Sequence, residues 1–305
     1  MKFAGIIAEY DPFHNGHAWQ LAQAKALGAE RVAVAMSCSL VQRGALPLLP
    51  EAVRTRSALT CGADLVFALP APCACAGAEA FARAGVALLA AAGCDGLVFG
   101  AETPDAALLM EAAELLDSGS YRAALKAQLA GGARSFAAAR QTAAAKLASD
   151  ERVAALLDKP NNNLAVEYCR AIRSLAPRME AYPLPRQGAN HGEALHSAHG
   201  QFASASALRK LWAEGGADAV APYVPEAVFP LYQEAYAAGQ YTDFSAAGRC
   251  ELALLRARCT GETPFANVRG VSEGLEHRLE KAYRTSVVWG TRVELGGRRV
   301  IKKRN

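Results

Sequence analysis

The 305-residue chain predicts an α/β fold: a parallel sheet crossed by helices, interrupted by a helical insertion and followed by a helical C-terminal region. Three observations carry this reading. Short apolar runs rich in branched residues recur at Phe3–Ala8, Arg31–Met36, Leu65–Leu69, Gly96–Phe99 and Met179–Leu184, each of a length suited to a buried strand. Helical patterns separate the first four, and strands spaced by helices in this way form parallel sheets with right-handed crossovers. Between Thr103 and about Leu175 the pattern is helical throughout, so that stretch reads as an insertion within the sheet domain.

The first strand breaks at Asp11-Pro12, because proline cannot continue a ladder and pushes its predecessor into an extended or turn conformation. A helix runs from about His17 to Leu27 and stops at Gly28. After the second strand, Ser37 to Gly44 form a loop, and Pro50-Glu51 open a helix with proline in its first turn. The third strand is cut by Pro70 and Pro72, a helix covers about Ala78–Ala92, and the fourth strand ends at Gly100-Ala101-Glu102. The insertion reads as helices over Ala106–Leu116, Tyr121–Leu129, Arg134–Leu147 and Asn162–Leu175. A polar, glycine-bearing stretch from Pro185 to Gln201 reads as a long loop, and Ser204 caps the helix after it. Amphipathic helices follow at about Glu226–Ala238, Ala246–Cys259 and Gly274–Arg284, and Gly296-Gly297 reads as a hairpin turn.

Composition narrows the function classes. Hydrophobic residues make up 52% and charged residues 20%, the balance of a soluble globular protein. No apolar run reaches the length of a membrane span, and no charged leader precedes the first strand, so a cytoplasmic location is expected, without membrane or protein partners. The eight cysteines are scattered without a Cys-x-x-Cys pair, and Cys73-Ala-Cys75 is too short a loop to hold zinc alone, so no metal site is expected. His191, Glu193, His196 and His199 lack the spacing that would put metal ligands on one helical face. The net charge of +4 permits a nucleic-acid partner without requiring one. Its excess gathers at the end, where Arg292, Arg298, Arg299, Lys302, Lys303 and Arg304 face only Glu294.

The chemistry concentrates in the first turn, Ile7-Ala8-Glu9-Tyr10-Asp11-Pro12-Phe13-His14-Asn15-Gly16-His17. Two histidines three residues apart stand where a strand gives way to a helix, on the side where unpartnered N–H groups and the macrodipole favour anions. By spacing alone such a pair is usually a capping or surface accident; the preceding apolar strand, the proline turn and the intervening Gly16 shift the balance towards a phosphate site. Gly16 would admit a flat ring or a phosphate close to the backbone. In an open parallel sheet ligands bind beyond the carboxyl ends of the strands, so this turn, the Ser37 loop and Gly100 should share one edge.

His14-Asn15-Gly16-His17 resembles the HxGH motif of the nucleotidyltransferase superfamily, and the longer string Glu9 to His17 resembles the bacterial tRNA(Met) cytidine acetate ligases. Further strings are similar to that family in the same order: Gln42-Arg43-Gly44, Phe99-Gly100-Ala101-Glu102, Pro160-Asn161-Asn162, Arg186, Ser204 to Arg209, and Ser272-Glu273-Gly274-Leu275-Glu276. The resemblance implies a Rossmann-like nucleotidyltransferase sheet of five parallel strands. It implies an ATP-binding domain over about residues 1–215, with the insertion at about 103–177, and a helical region with a basic tail over 216–305.

It also implies an ATP-dependent ligase that forms acetyl-adenylate from acetate and ATP, with Mg²⁺ on the phosphates, and acetylates the wobble cytidine of elongator tRNA(Met). His14, His17 and Arg186 are then the catalytic donors. ATP would meet the turn from Ile7 to His17 together with Gln20, Gly100, Asn161, Asn162, Arg186, Ser204 and Arg209. Each string keeps a plainer alternative, in which Asn161-Asn162 and Ser204 only cap helices and Arg186 is a surface residue. A small-molecule adenylyltransferase and a nucleotide-binding, RNA-associated protein without turnover remain as other readings. Departures from the family are Asp11 in place of the usual Asn, Cys38 in place of a Gly, and a shorter end after the Glu-Gly-Leu-Glu string. Asp11 is expected to set a carboxylate near the phosphates, either repelling ATP or helping to hold Mg²⁺.

Overall fold

The computed structural model describes residues 1–132, 135–186, 195–197, 200–258, 264–266, 268, 271 and 274–289. Strands β1 (Phe3–Ala8), β2 (Arg31–Ser37), β3 (Leu65–Leu69), β4 (Gly96–Ala101) and β5 (Glu180–Pro185) make one sheet in the order β3-β2-β1-β4-β5. Every pairing within it is parallel. The five expected strands are all present. The chain builds outward from β1 to β3, then crosses back to lay β4 and β5 on the other side. The strand order therefore reverses between β1 and β4, the switch point beyond whose carboxyl ends open α/β sheets bind their ligands.

The central strands are apolar because both faces of the sheet are covered. Helices α1 (Asn15–Ala26) and α2 (Glu51–Thr60) follow β1 and β2, and a short α3 (Ala71–Ala74) precedes α4 (Ala78–Ala91). One face of β1 meets α4, where Gly5 lies under Leu89 and Gly85 under Ile7.

The insertion contains α5 (Ala106–Asp117), α6 (Gly119–Ala130), α7 (Phe136–Leu147), α8 (Glu151–Leu156) and α9 (Pro160–Leu175). Side-chain caps start four of these helices: Asp105, Ser118, Ser135 and Asp150 each accept a backbone N–H from the first turn. Helix α8 is absent from the sequence reading, being too short to display a helical period. Helix α9 packs against α4 and α5 and carries the buried Glu167. Glu167 accepts from Arg140 Nη2 of α7 at 2.6 Å and from Arg170 Nη1 at 2.7 Å, while Arg170 Nε reaches Asp117 of α5 at 2.8 Å. Glu167→Ala leaves two largely buried guanidinium groups short of a partner. It should cost about 3 kcal/mol in urea unfolding without changing the sheet edge.

After β5, the stretch expected as a loop forms a hairpin of β6 (Leu195–Ser197) and β7 (Gly200–Phe202), with Ser197 opposite Gly200. Burial of Phe202 beside Gly16 anchors it, a long-range contact that local sequence does not announce. The metal-type histidine grouping lies largely outside the described residues. Helix α10 (Ala205–Gly215), a 3₁₀ turn at Asp218–Tyr223 and α11 (Phe229–Ala237) complete a compact unit, Met1–Tyr241. The remaining unit, Thr242–Asn305, contains α12 (Phe244–Arg258) and α13 (Leu275–Trp289). The basic tail from Arg292, the Gly296-Gly297 turn and Ser272-Glu273 lie outside the described residues. Among the described residues no helix is long and apolar enough to cross a membrane.

Candidate active site

The turn after β1 passes two irregular points before the chain returns to extended backbone. Tyr10 adopts φ 50, the Asp11–Pro12 peptide is cis, and His14 is extended at φ −150, ψ 176. Burial holds the turn in place, since Tyr10 and Phe13 are inside the protein with ring centroids 4.9 Å apart. Tyr232 of α11 donates its hydroxyl to the Phe13 carbonyl at 2.7 Å. Helix α1 begins two residues earlier than the sequence implies, at Asn15, because His14 is its N-cap.

The two histidines form a reciprocal cap. His14 Nδ1 accepts from Gly16 N at 3.0 Å, and His17 Nδ1 accepts from His14 N at 3.3 Å. Their rings stack with centroids 3.8 Å apart and planes 27° from parallel. The capping reading of the motif is therefore realised by the two rings together. With each Nδ1 occupied as an acceptor, a neutral ring carries its proton on Nε2, so each imidazole keeps one N–H donor outside the cap. Gly16 is required by the His14 ring itself: an added Cβ would stand 2.9 Å from His14 Cε1.

The surroundings hold both rings neutral. Burial, then the positive charge of Arg186, pushes His14 down from 6.5 to about 3. Burial, then His14 and Arg186, holds His17 well below the ordinary value. An imidazole whose folded pKa is depressed binds its proton more readily in the unfolded chain. Its contribution to stability is therefore complete above about pH 6.5 and is lost as pH falls from there towards 3. Urea unfolding between pH 7.5 and 4 should show this decline. His14→Asn, which keeps an acceptor for the cap, should flatten the profile.

The opposite wall comes from β4, β5 and α9. Glu102, just beyond β4, accepts from Asn161 N at 3.2 Å, Asn161 Nδ2 at 2.6 Å and Asn162 N at 2.7 Å, and so caps α9 from another element. Burial opposes its charge, but these bonds hold its carboxyl below the usual value. Asn162 is buried, accepting from Thr103 N at 2.9 Å and donating to Thr103 Oγ1 at 3.2 Å. Asn161 faces outward and accepts from Arg186 Nη1 at 2.5 Å. Gly100 leaves room for Arg186, whose Cγ would lie 3.4 Å from an added Cβ.

Other sequence-predicted residues take up framework contacts. Gln20 donates to Val98 O at 3.1 Å and Asn15 to Pro222 O at 3.3 Å. Ile7 and Ala8 end β1, with Ile7 turned to α4, and Pro12 is buried in the turn. Ser204 caps α10 through Ala207 N at 3.3 Å. Asp11 is buried and engaged: it accepts from Leu48 N at 2.6 Å and pairs with Arg209 Nη1 at 3.0 Å. Arg209 also donates to the Asp11 carbonyl at 2.5 Å, so the carboxylate expected to face the phosphates instead ties α10 to the turn.

One organising residue escapes the sequence reading. Arg54 of α2 is fully buried, and among the described residues its guanidinium donates only to backbone carbonyls. Nε reaches Leu49 at 3.0 Å, Nη1 reaches Glu9 at 2.8 Å and Ser37 at 2.6 Å, and Nη2 reaches Cys38. A signal was present: Val53, Arg54, Ser57 and Ala58 share the inward stripe of α2.

A parallel sheet of this order, with an HxGH cap on the first helix at its switch point, defines a nucleotidyltransferase of the HIGH class. The family described as HIGH Nucleotidyl Transferase matches residues 1–295. The tRNA(Met) cytidine acetate ligase of Syntrophotalea carbinolica is 36% identical over 297 residues, covering 96% of this chain and 69% of that protein. The enzyme of that name from Caldanaerobacter subterraneus subsp. tengcongensis is 35% identical over 290 residues, covering 92% and 70%. Thermotoga maritima TmcAL in its apo form superposes with a TM-score of 0.84 at 31% identity, covering 93% of this chain and 68% of that one. Its complex with alpha-thio ATP gives 0.82 at 29% identity with the same coverage. The chain belongs to the tRNA(Met) cytidine acetate ligase family.

Proposed function

We propose that this protein is an ATP-dependent ligase that joins acetate to the wobble cytidine of elongator tRNA(Met) through an acetyl-adenylate, forming N4-acetylcytidine. The observation that carries the reading is the stacked His14–His17 pair at the switch point, each Nδ1 engaged in the cap and each Nε2–H left as a donor. Attack of acetate on the α-phosphorus expels pyrophosphate and builds charge on phosphate oxygens. Neutral, fixed donors stabilise that charge without reorganising. Arg186, steered by Asn161, supplies a cation on the facing wall. Mg²⁺ bound with the nucleotide would add charge stabilisation to the triphosphate. Asp11 is held by Leu48 and Arg209, which favours no role for it as a metal ligand.

ATP binding is assigned to the sheet domain over about 1–215, with Gly16, Gly100, Asn161 and Arg186 nearest the phosphates. Residues up to Tyr241 pack with the sheet, so of the helical region over 216–305 the part beyond Tyr241, with its basic end, is assigned to tRNA. Acetate-dependent exchange of labelled pyrophosphate into ATP tests the first half, and labelled acetyl transfer to tRNA tests the second. Exchange that needs a phosphorylated metabolite in place of acetate would favour a small-molecule adenylyltransferase. Folded protein without acetate-dependent exchange refutes the ligase.

A further inference from the structure

Glu9 is the first residue past β1, at the edge where the strand order reverses. Its backbone and side chain are both fixed: the carbonyl accepts from Arg54 Nη1 at 2.8 Å, and Oε1 accepts from Gln42 N at 2.7 Å. Among the described residues Oε2 has no hydrogen-bond donor and no cation lies within ion-pair distance of the carboxylate. The charged and titratable groups around it are Asp11 on the same turn, Arg209 of α10, Arg43 of the following loop, Cys75 after α3 and Tyr168 of α9. Arg209 is already engaged with Asp11. Burial, against the Gln42 bond and with Asp11 adding to it, leaves the Glu9 carboxyl above the usual range. A glutamine would make the same bond to Gln42 without the cost of a half-buried charge, so the fold does not require the carboxylate. A carboxylate held rigidly at the ligand edge with one oxygen uncommitted fits a proton acceptor.

The proposed reaction has use for one such group. Acetate is already an anion when it attacks ATP and has no proton to lose. The cytidine amine does: as N4 bonds to the acyl carbon, the bond from that carbon to the phosphate oxygen breaks, AMP leaves with that oxygen, and one N4 proton must depart. We propose that Glu9 is the catalytic base of this second step, taking the N4 proton on Oε2. The assignment rests on the ligase reading above.

The test compares Glu9→Gln with the parent in two assays on the full chain, acetate-dependent pyrophosphate exchange and single-turnover acetyl transfer to tRNA. The expected result is that transfer falls by about 100-fold or more relative to exchange. The parent's transfer rate should rise with pH, and that rise should vanish in the variant. Glu9→Asp keeps a carboxylate in a shorter reach, and should retain the pH-dependent limb with intermediate transfer, giving a second reading should Glu9→Gln not fold. Equal loss of both activities would make Glu9 a nucleotide contact and overturn the assignment, as would transfer unaffected by Glu9→Gln. A parent protein that exchanges pyrophosphate but acetylates no tRNA also overturns it. Absence of exchange in the parent refutes the ligase reading itself.

Discussion

Replacing His17 by alanine should lower acetate-dependent pyrophosphate exchange by about 100- to 1,000-fold, the loss that follows removal of one preorganised donor to developing charge. The change removes two things at once. One is the acceptor for His14 N, a cap worth about 1 kcal/mol of stability. The other is the Nε2–H donor, which matters only when negative charge grows on the phosphates. The variants His17→Asn and His17→Gln separate them. Asparagine sets an oxygen near the place of Nδ1 and so keeps the cap, but withdraws the donor. Glutamine carries an amide N–H out towards the place of Nε2. Exchange should stay low in His17→Asn despite near-parent urea stability, and recover in part in His17→Gln. Full activity in His17→Asn would show that the ring serves only as a cap.

The ease with which the site could be read from sequence varies with the range of its contacts. The five strands, their parallel sense and the helical insertion follow from local period, and the structure reproduces them. The HxGH string was legible because strand, turn and helix start are adjacent in the chain. Its internal geometry was not, since the reciprocal cap shows only when both Nδ1 atoms are seen engaged. Asn161 and Asn162 look alike in sequence. Glu102, some sixty residues away in the chain, separates their roles by capping α9, which buries one amide and turns the other towards Arg186. Asp11 could not be assigned without Arg209, which α10 brings back to the turn. The β6–β7 hairpin depends likewise on Phe202 finding Gly16.

Arg54→Met is expected to be the most damaging substitution for folding, at about 4 kcal/mol, and to abolish exchange with it. Methionine fills much of the same volume, so the cost is not chiefly a cavity. It comes from the carbonyls of Glu9, Ser37, Cys38 and Leu49, which the guanidinium bridges and which would lose their donor inside the protein. These carbonyls belong to the ends of β1 and β2 and to the loop before α2, the segments that would otherwise splay at the carboxyl edge. Lysine retains a charge but cannot reach carbonyls in a planar fork, so Arg54→Lys should recover only part of the loss. Thermal unfolding and exchange measured together on both variants provide the check. Parent-like stability in Arg54→Met would mean that the strand ends hold their positions without it. If Arg54→Lys regains stability but not exchange, the fork is needed for the exact placement of Glu9 and the turn that follows, beyond its part in folding.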